Sequence, residues 1–179
     1  MFTISFANRG SALEELVELA NIQYRRLGIA VMHKVPSKWI PIRNKHGKLI
    51  SAKIEEKAAV DFMGRYFNIP IAFDVKSVLK DTRWYLKNIE HHQLKFLVDW
   101  ETGTARSYVL LGFWKTEEFF FLPFRYVHEK YLRRLAKGPA SLKLDDLREE
   151  FPIIKIQNKG IILDYFSACY RREDRYLQF

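Results

Sequence analysis

The feature that most constrains this chain is a pair of short strand-like runs, 59–65 and 69–76, joined through Phe67-Asn68. Asn tolerates positive φ and suits a tight reversal between strands. A two-residue loop fixes the partner of every residue, and counting back from the turn sets Asp61 directly opposite Asp74. Their Cβ atoms would lie about 4.5–5.5 Å apart, with both side chains on one face. Alternation in the second run puts Ile69, Ile71, Phe73 and Val75 on one face, and Pro70, Ala72, Asp74 and Lys76 on the other. Like charges opposed across a ladder destabilise it unless something offsets them. A divalent cation held between the two carboxylates would do so, with Lys76 one step along the same face. The competing reading is a solvated sheet edge on which Lys76 blocks edge-to-edge pairing. A bulge near Gly64 would break the register altogether.

The totals narrow the class. A chain of 179 residues reads as one domain, 1–179, long enough for a sizeable core. Hydrophobic residues at 48% and aromatics at 15% exclude a disordered chain. A formal charge of +9 points to an anionic partner, either nucleic acid or an acidic membrane surface. The single cysteine, Cys169, excludes an internal disulfide and fits a reducing compartment; no Cys/His set has zinc-ligand spacing. The N-terminal run lacks the basic flank of a signal peptide, and the longest apolar runs, such as 108–114, fall far short of a membrane span. The expectation is a soluble, cytoplasmic, nucleoid-associated protein.

Along the chain, Leu13, Leu16, Val17, Ala20, Tyr24 and Leu27 predict a helix over 11–27, stopped by Gly28. Ser11-Ala-Leu-Glu14 has the capping-box pattern, which gives Glu14 a structural role, although it also borders the apolar stripe. Residues 29–36 predict a strand. The segment 37–57 predicts a long hairpin, or arm, turning at 44–47. Between 34 and 57 seven Lys/Arg stand against Glu55 and Glu56, which favours a nucleic-acid contact over a merely solvated surface. Residues 88–101 predict a helix with Ile89, Gln93, Phe96, Leu97 and Trp100 on one face. A buried Gln93 needs partners, and a backbone group is the ordinary one. Strands follow at 104–114 and 117–124, with Phe119–Phe121 and Phe124 in the core. A basic helix at 125–137, a short helix from Ser141 through Glu150, a strand at Ile153–Ile156 and a helix at 161–170 complete the chain. The order predicts a mixed α/β sheet with helices packed on it.

Asn8-Arg9-Gly10 with Leu13-Glu14, then Ile29-Ala-Val-Met-His33-Lys34, then Asp61-x-x-Gly64 leading to Phe73-Asp74-Val75-Lys76, then His92-Gln93, resemble the RecU family of Holliday junction resolvases. That family has the PD-(D/E)xK, restriction-endonuclease-like fold. The similarity runs in order over roughly 8–125. It implies that Asp61, Asp74 and the Val75 carbonyl ligate Mg²⁺, with Mn²⁺ as a substitute, and that Lys76 orients or activates the attacking water. It places Glu14 and Gln93 beside the metal and matches 37–57 to a basic β-arm, or stalk, that enters the junction. Expected DNA contacts are Arg9, Lys34, Lys38, Arg43, Lys45, Lys48 and Arg65. The family often has Glu where Asp74 stands, and the arm matches poorly in sequence.

The function implied is Mg²⁺-dependent resolution of four-way junction DNA by paired symmetric cuts in recombination and repair. One site per chain and two strands to cut imply a C2 homodimer. The alternatives are a nuclease of the same fold for another DNA structure, or a non-catalytic DNA-binding or architectural protein. A pure binder has no need of opposed acids near phosphate. Membrane-surface binding through 125–137 is disfavoured, because Glu129 interrupts the charge and the apolar positions are needed for packing.

Overall fold

The computed structural model describes residues 9–170. Its centre is a five-stranded sheet in the order β1-β4-β5-β7-β8, from Ala30–Lys34, Phe62–Tyr66, Ile69–Val78, Arg106–Phe113 and Glu118–Pro123. Three neighbouring pairs are antiparallel, and β5 with β7 is parallel, so the sheet is mixed. β4 and β5 form the expected hairpin without a bulge, pairing Phe62 with Phe73 and Tyr66 with Ile69, but β4 starts at Phe62 and not at Ala59, so Asp61 precedes the ladder. Gly64 has a different purpose from a kink. A Cβ there would sit 2.0 Å from the Val31 carbonyl oxygen, so only glycine lets β1 approach this closely. The positive φ of the turn falls on Phe67 (46°) rather than on Asn68. Phe67 tolerates it because its N–H donates to the Ile29 carbonyl and its ring packs edge-on against Tyr66.

Period-two alternation divides the core. On one face Ile71, Phe73, Val75, Tyr108, Leu110, Phe119 and Phe121 pack against Leu13, Leu16, Val17, Ala20 and Tyr24 of α1 (Arg9–Arg26). On the other, Ala72, Val109, Leu111, Phe120 and Leu122 pack under α2 (His91–Trp100), α3 (Phe124–Leu135) and α4 (Leu144–Glu150). Phe119–Phe121 and Phe124 are buried as expected. Residues that alternate between two covered faces read as a continuous apolar run, which is how 104–124 looks in the sequence.

Several boundaries differ from expectation. α1 begins at Arg9, so Ser11 lies inside the helix and not at its cap. Leu27 follows the helix and is 63% exposed, while Gly28 at φ 70° stops it as expected. The 88–101 helix begins only at His91, because Leu86–Asn88 forms a 3-10 turn before it. Ser141 opens no helix: Ser141–Lys143 is β9, paired antiparallel with β6 (Arg83–Tyr85). Ile153–Ile156 makes only an isolated bridge, Phe119 with Ile154. The last helix, α5, is Tyr165–Tyr170, shorter than 161–170. Asp164 holds its start, accepting from the Ser167 N–H and the Tyr24 hydroxyl.

The segment after β1 forms a separate two-stranded antiparallel sheet, β2 (Lys38–Arg43) with β3 (Leu49–Glu56). Its turn is closed by Asn44, whose Oδ1 accepts from the N–H groups of His46 and Lys48 at 2.9 and 3.0 Å. Gly47 supplies the positive φ, 77°. Among the described residues no helix is long and apolar enough to cross a membrane.

Candidate active site

Asp61 and Asp74 are brought together, although the ladder itself ends one step short of them, at Phe62 with Phe73. Asp61 stands one residue before β4, and its Oδ2 accepts the Val75 N–H at 2.7 Å. That bond fastens the acid to the strand opposite. Asp74 lies within β5, on the α2 face of the sheet, and is 1% exposed. Burial pushes its carboxyl well above the usual carboxylate range. Asp61 beside it acts in the same direction, and Lys76 opposes both.

Lys76 follows Asp74 by two residues, so alternation puts both on one face. Its Nζ is 2.5 Å from Asp74 Oδ2. Gln93 reaches them from the first turn of α2. Its Nε2 donates to Asp74 Oδ1 at 2.7 Å, and its Oε1 accepts from Lys76 Nζ at 3.0 Å. The same Oε1 accepts the Glu90 N–H at 3.3 Å, which makes Glu90 and Gln93 a capping box for α2. Gln93 therefore has both readings at once: it bonds a backbone group and it bonds the acidic centre. Sequence reasoning did not weigh Glu90. The signal was Glu90-His-His-Gln93 ahead of an apolar stripe.

Glu14 points elsewhere than to a cap. It pairs with Lys34 Nζ at 3.0 Å, and Lys34 also meets Glu18 at 2.7 Å. The bond to Glu18 holds the Lys34 ammonium above its usual range, with Glu14 adding to it. Lys34 pairs with Phe62 across β1 and β4, and Val35 donates its N–H to the Asp61 carbonyl. Glu14 is thus tied to the Asp61 end of the sheet through Lys34. Among the described residues no three His, Cys, Asp or Glu side chains converge as a ligand cluster.

The expected DNA-contacting residues fall in different places. Lys38 pairs with Glu55 at 2.5 Å, and Arg43 Nη1 donates to the Gly47 carbonyl at 2.9 Å, both within the hairpin. Lys45 and Lys48 are exposed at its turn. Arg65 is on β4, its Nη1 donating to the Phe67 carbonyl at 3.2 Å. Arg9 opens α1, and its side chain lies outside the described residues, as does the whole of Asn8.

A mixed five-stranded sheet that sets two carboxylates, a lysine and a glutamine on one covered face defines an α/β protein with a polar centre at its second hairpin. Residues 8–171 match the family described as Recombination protein U, RecU, and the chain belongs to that family. It is similar to proteins named Holliday junction resolvase RecU. That of Streptococcus mutans is 30% identical over 155 residues, covering 82% of this chain and 76% of that protein. That of Streptococcus uberis is 28% identical over 155 residues, covering 82% and 74%. That of Streptococcus gordonii is 27% identical over 161 residues, covering 86% and 78%.

Proposed function

We propose that this chain is a metal-dependent, structure-specific endonuclease that resolves Holliday junctions by paired symmetric cuts, acting as a C2 homodimer on DNA in the cytoplasm. The observation that carries the reading is Asp61, Asp74, Lys76 and Gln93 meeting on one face of the sheet. Membership of the Recombination protein U family and relatives named as junction resolvases support it. The sequence Asp74-Val75-Lys76, with Asp61 immediately before the neighbouring strand of a mixed sheet, supports a PD-(D/E)xK core. Residues 1–179 act as one nuclease domain, with the 37–57 hairpin as a basic arm.

The residues fit a hard divalent cation. Two carboxylates stand side by side, one of them 1% exposed and held above its usual pKa by burial and by the other. Such a pair is stabilised by a positive charge, and its donors are oxygens, as Mg²⁺ or Mn²⁺ requires. Asp61, Asp74 and the Val75 carbonyl would hold it, supplying charge to a non-bridging phosphate oxygen and to the leaving 3′ oxygen.

The chain's own groups do the rest. Lys76 presents an ammonium beside the carboxylates, where it orients the attacking water and offsets developing charge. Gln93 fixes that ammonium by accepting from it while donating to Asp74. Glu14 restrains Lys34 at the Asp61 end of the sheet. The exposed cations at the turn of the hairpin, Lys45 and Lys48, contact phosphates at the junction centre, and Arg43 stands beside them.

The test is cleavage of a four-way junction, a Y-fork and a linear duplex, each in Mg²⁺ and in EDTA. Asp61→Asn should abolish Mg²⁺-dependent cleavage and leave junction binding largely intact, because an amide is a poor Mg²⁺ ligand of the same size. Near-normal turnover in that variant removes Asp61 from the metal site. Equal cutting of all three substrates would instead make the chain a nuclease without junction preference.

A further inference from the structure

The polar centre does not end at Gln93. Lys57 directly follows β3, and its Nζ lies 2.8 and 2.7 Å from the two carboxylate oxygens of Glu90. His92, on the first turn of α2, donates from Nε2 to the Ala58 carbonyl at 3.3 Å, and its Nδ1 is 3.5 Å from Glu90 Oε2. The Ala58 N–H in turn donates to Ser37 Oγ at 3.3 Å, and Ser37 immediately precedes β2. Both legs of the hairpin are therefore joined at its base, and the base is fastened to the first turn of α2.

That turn carries Gln93, and one atom links the two systems. Gln93 Oε1 accepts from the Glu90 N–H and from Lys76 Nζ together. A shift of the Glu90 backbone changes the acceptor on which Lys76 depends, and Gln93 Nε2 carries the same shift to Asp74. The Lys57–Glu90 pair is exposed, its side chains 59% and 47% accessible, so it adds little to global stability. Its contribution is to placement.

We propose that Lys57 and Glu90 are positioning residues that couple the base of the hairpin to the Gln93–Lys76–Asp74 arrangement. A DNA strand that loads the hairpin then alters the site through the start of α2. The role in cleavage rests on the nuclease reading above; the mechanical coupling does not.

The experiment uses the full chain. The Gln93 side-chain amide signals are followed by NMR after assignment through their loss in Gln93→Leu, and single-turnover junction cleavage is measured in parallel. Lys57→Met should move the Gln93 signals and slow cleavage about three- to fivefold, the scale of one exposed ion pair. Lys57→Arg, which keeps a cation opposite Glu90 and leaves the capping box intact, should restore both. A Lys57 that acted only by touching phosphate would leave the Gln93 signals of the DNA-free chain unmoved in Lys57→Met. Gln93 signals that do not move in Lys57→Met, or that Lys57→Arg does not restore, overturn the coupling. A wild-type chain that cuts no junction overturns the nuclease reading, while the Gln93 signals still decide the coupling.

Discussion

Replacing Gln93 by leucine tests the centre of the site most directly. The change keeps the side-chain bulk and nearly the same helix propensity, but removes three hydrogen bonds. Asp74 Oδ1 loses its 2.7 Å donor in a residue 1% exposed, where water cannot readily substitute. An orphaned acceptor of that kind costs about 1–3 kcal/mol. The Glu90 N–H loses its acceptor at the start of α2, about 0.5–1 kcal/mol, although solvent reaches that end. Burial of leucine in place of an amide returns part of the loss, leaving about 1–3 kcal/mol net. For a chain of this size each kcal/mol moves the melting temperature by about 2–4 °C, so a drop of about 2–12 °C is expected in EDTA. Lys76 keeps its contact to Asp74 but loses the one that fixes its direction. Single-turnover cleavage in Mg²⁺ should fall at least about tenfold, which is about 1.4 kcal/mol in the barrier. Calorimetry in EDTA and quenched junction cleavage measure the two effects. A melting temperature within about 1 °C of wild type together with unchanged cleavage would refute the reasoning.

The pH dependence follows from Asp74, whose carboxyl burial and Asp61 hold above the usual range. Such an acid binds more protons folded than unfolded. Its contribution is greatest below the ordinary value, about 3.9, and is lost as pH rises toward the folded value. In EDTA, Asp74→Asn should therefore melt above wild type at neutral pH, with the gap closing near about pH 4, and equal curves would sink this account. Changing Arg43, Lys45 and Lys48 to alanine should weaken junction binding and flatten its salt dependence while the melting temperature barely moves. Equal loss on linear duplex would show general electrostatics in place of junction recognition. Glu14→Gln loses an ion pair to Lys34 that is 44% and 30% exposed, so stability should change by less than about 1 kcal/mol. Cleavage at fixed Mg²⁺ should slow about tenfold or more, and full activity would leave Glu14 a purely structural partner of Lys34.

The opposition of Asp61 and Asp74 was legible because it depends on local quantities alone. A two-residue turn and a period of two fix which side chains share a face, whatever packs on that face. Lys76 beside Asp74, Gly28 as a stop, the Asn44–Gly47 turn and the apolar run 104–124 followed from the same short-range rules. Gln93 was legible halfway: periodicity buried it, but Lys76 is on another element. Only the packing of α2 on β5 showed that one amide caps a helix and holds a lysine.

Other features were decided by partners distant in the chain. Ser141–Lys143 reads locally as a helix start and becomes a strand because Arg83–Tyr85 lies alongside it. Ser11-Ala-Leu-Glu14 has a cap's composition, yet the helix starts before it and Glu14 turns to Lys34 across the fold. Lys57 reads in the sequence only as charge on an arm, and packing alone sets Glu90 next to it. Spacing along a chain determines faces and registers, because those are set by bonded geometry. Which face meets which is settled by burial across the whole sheet, and that energy exists only once the elements have packed.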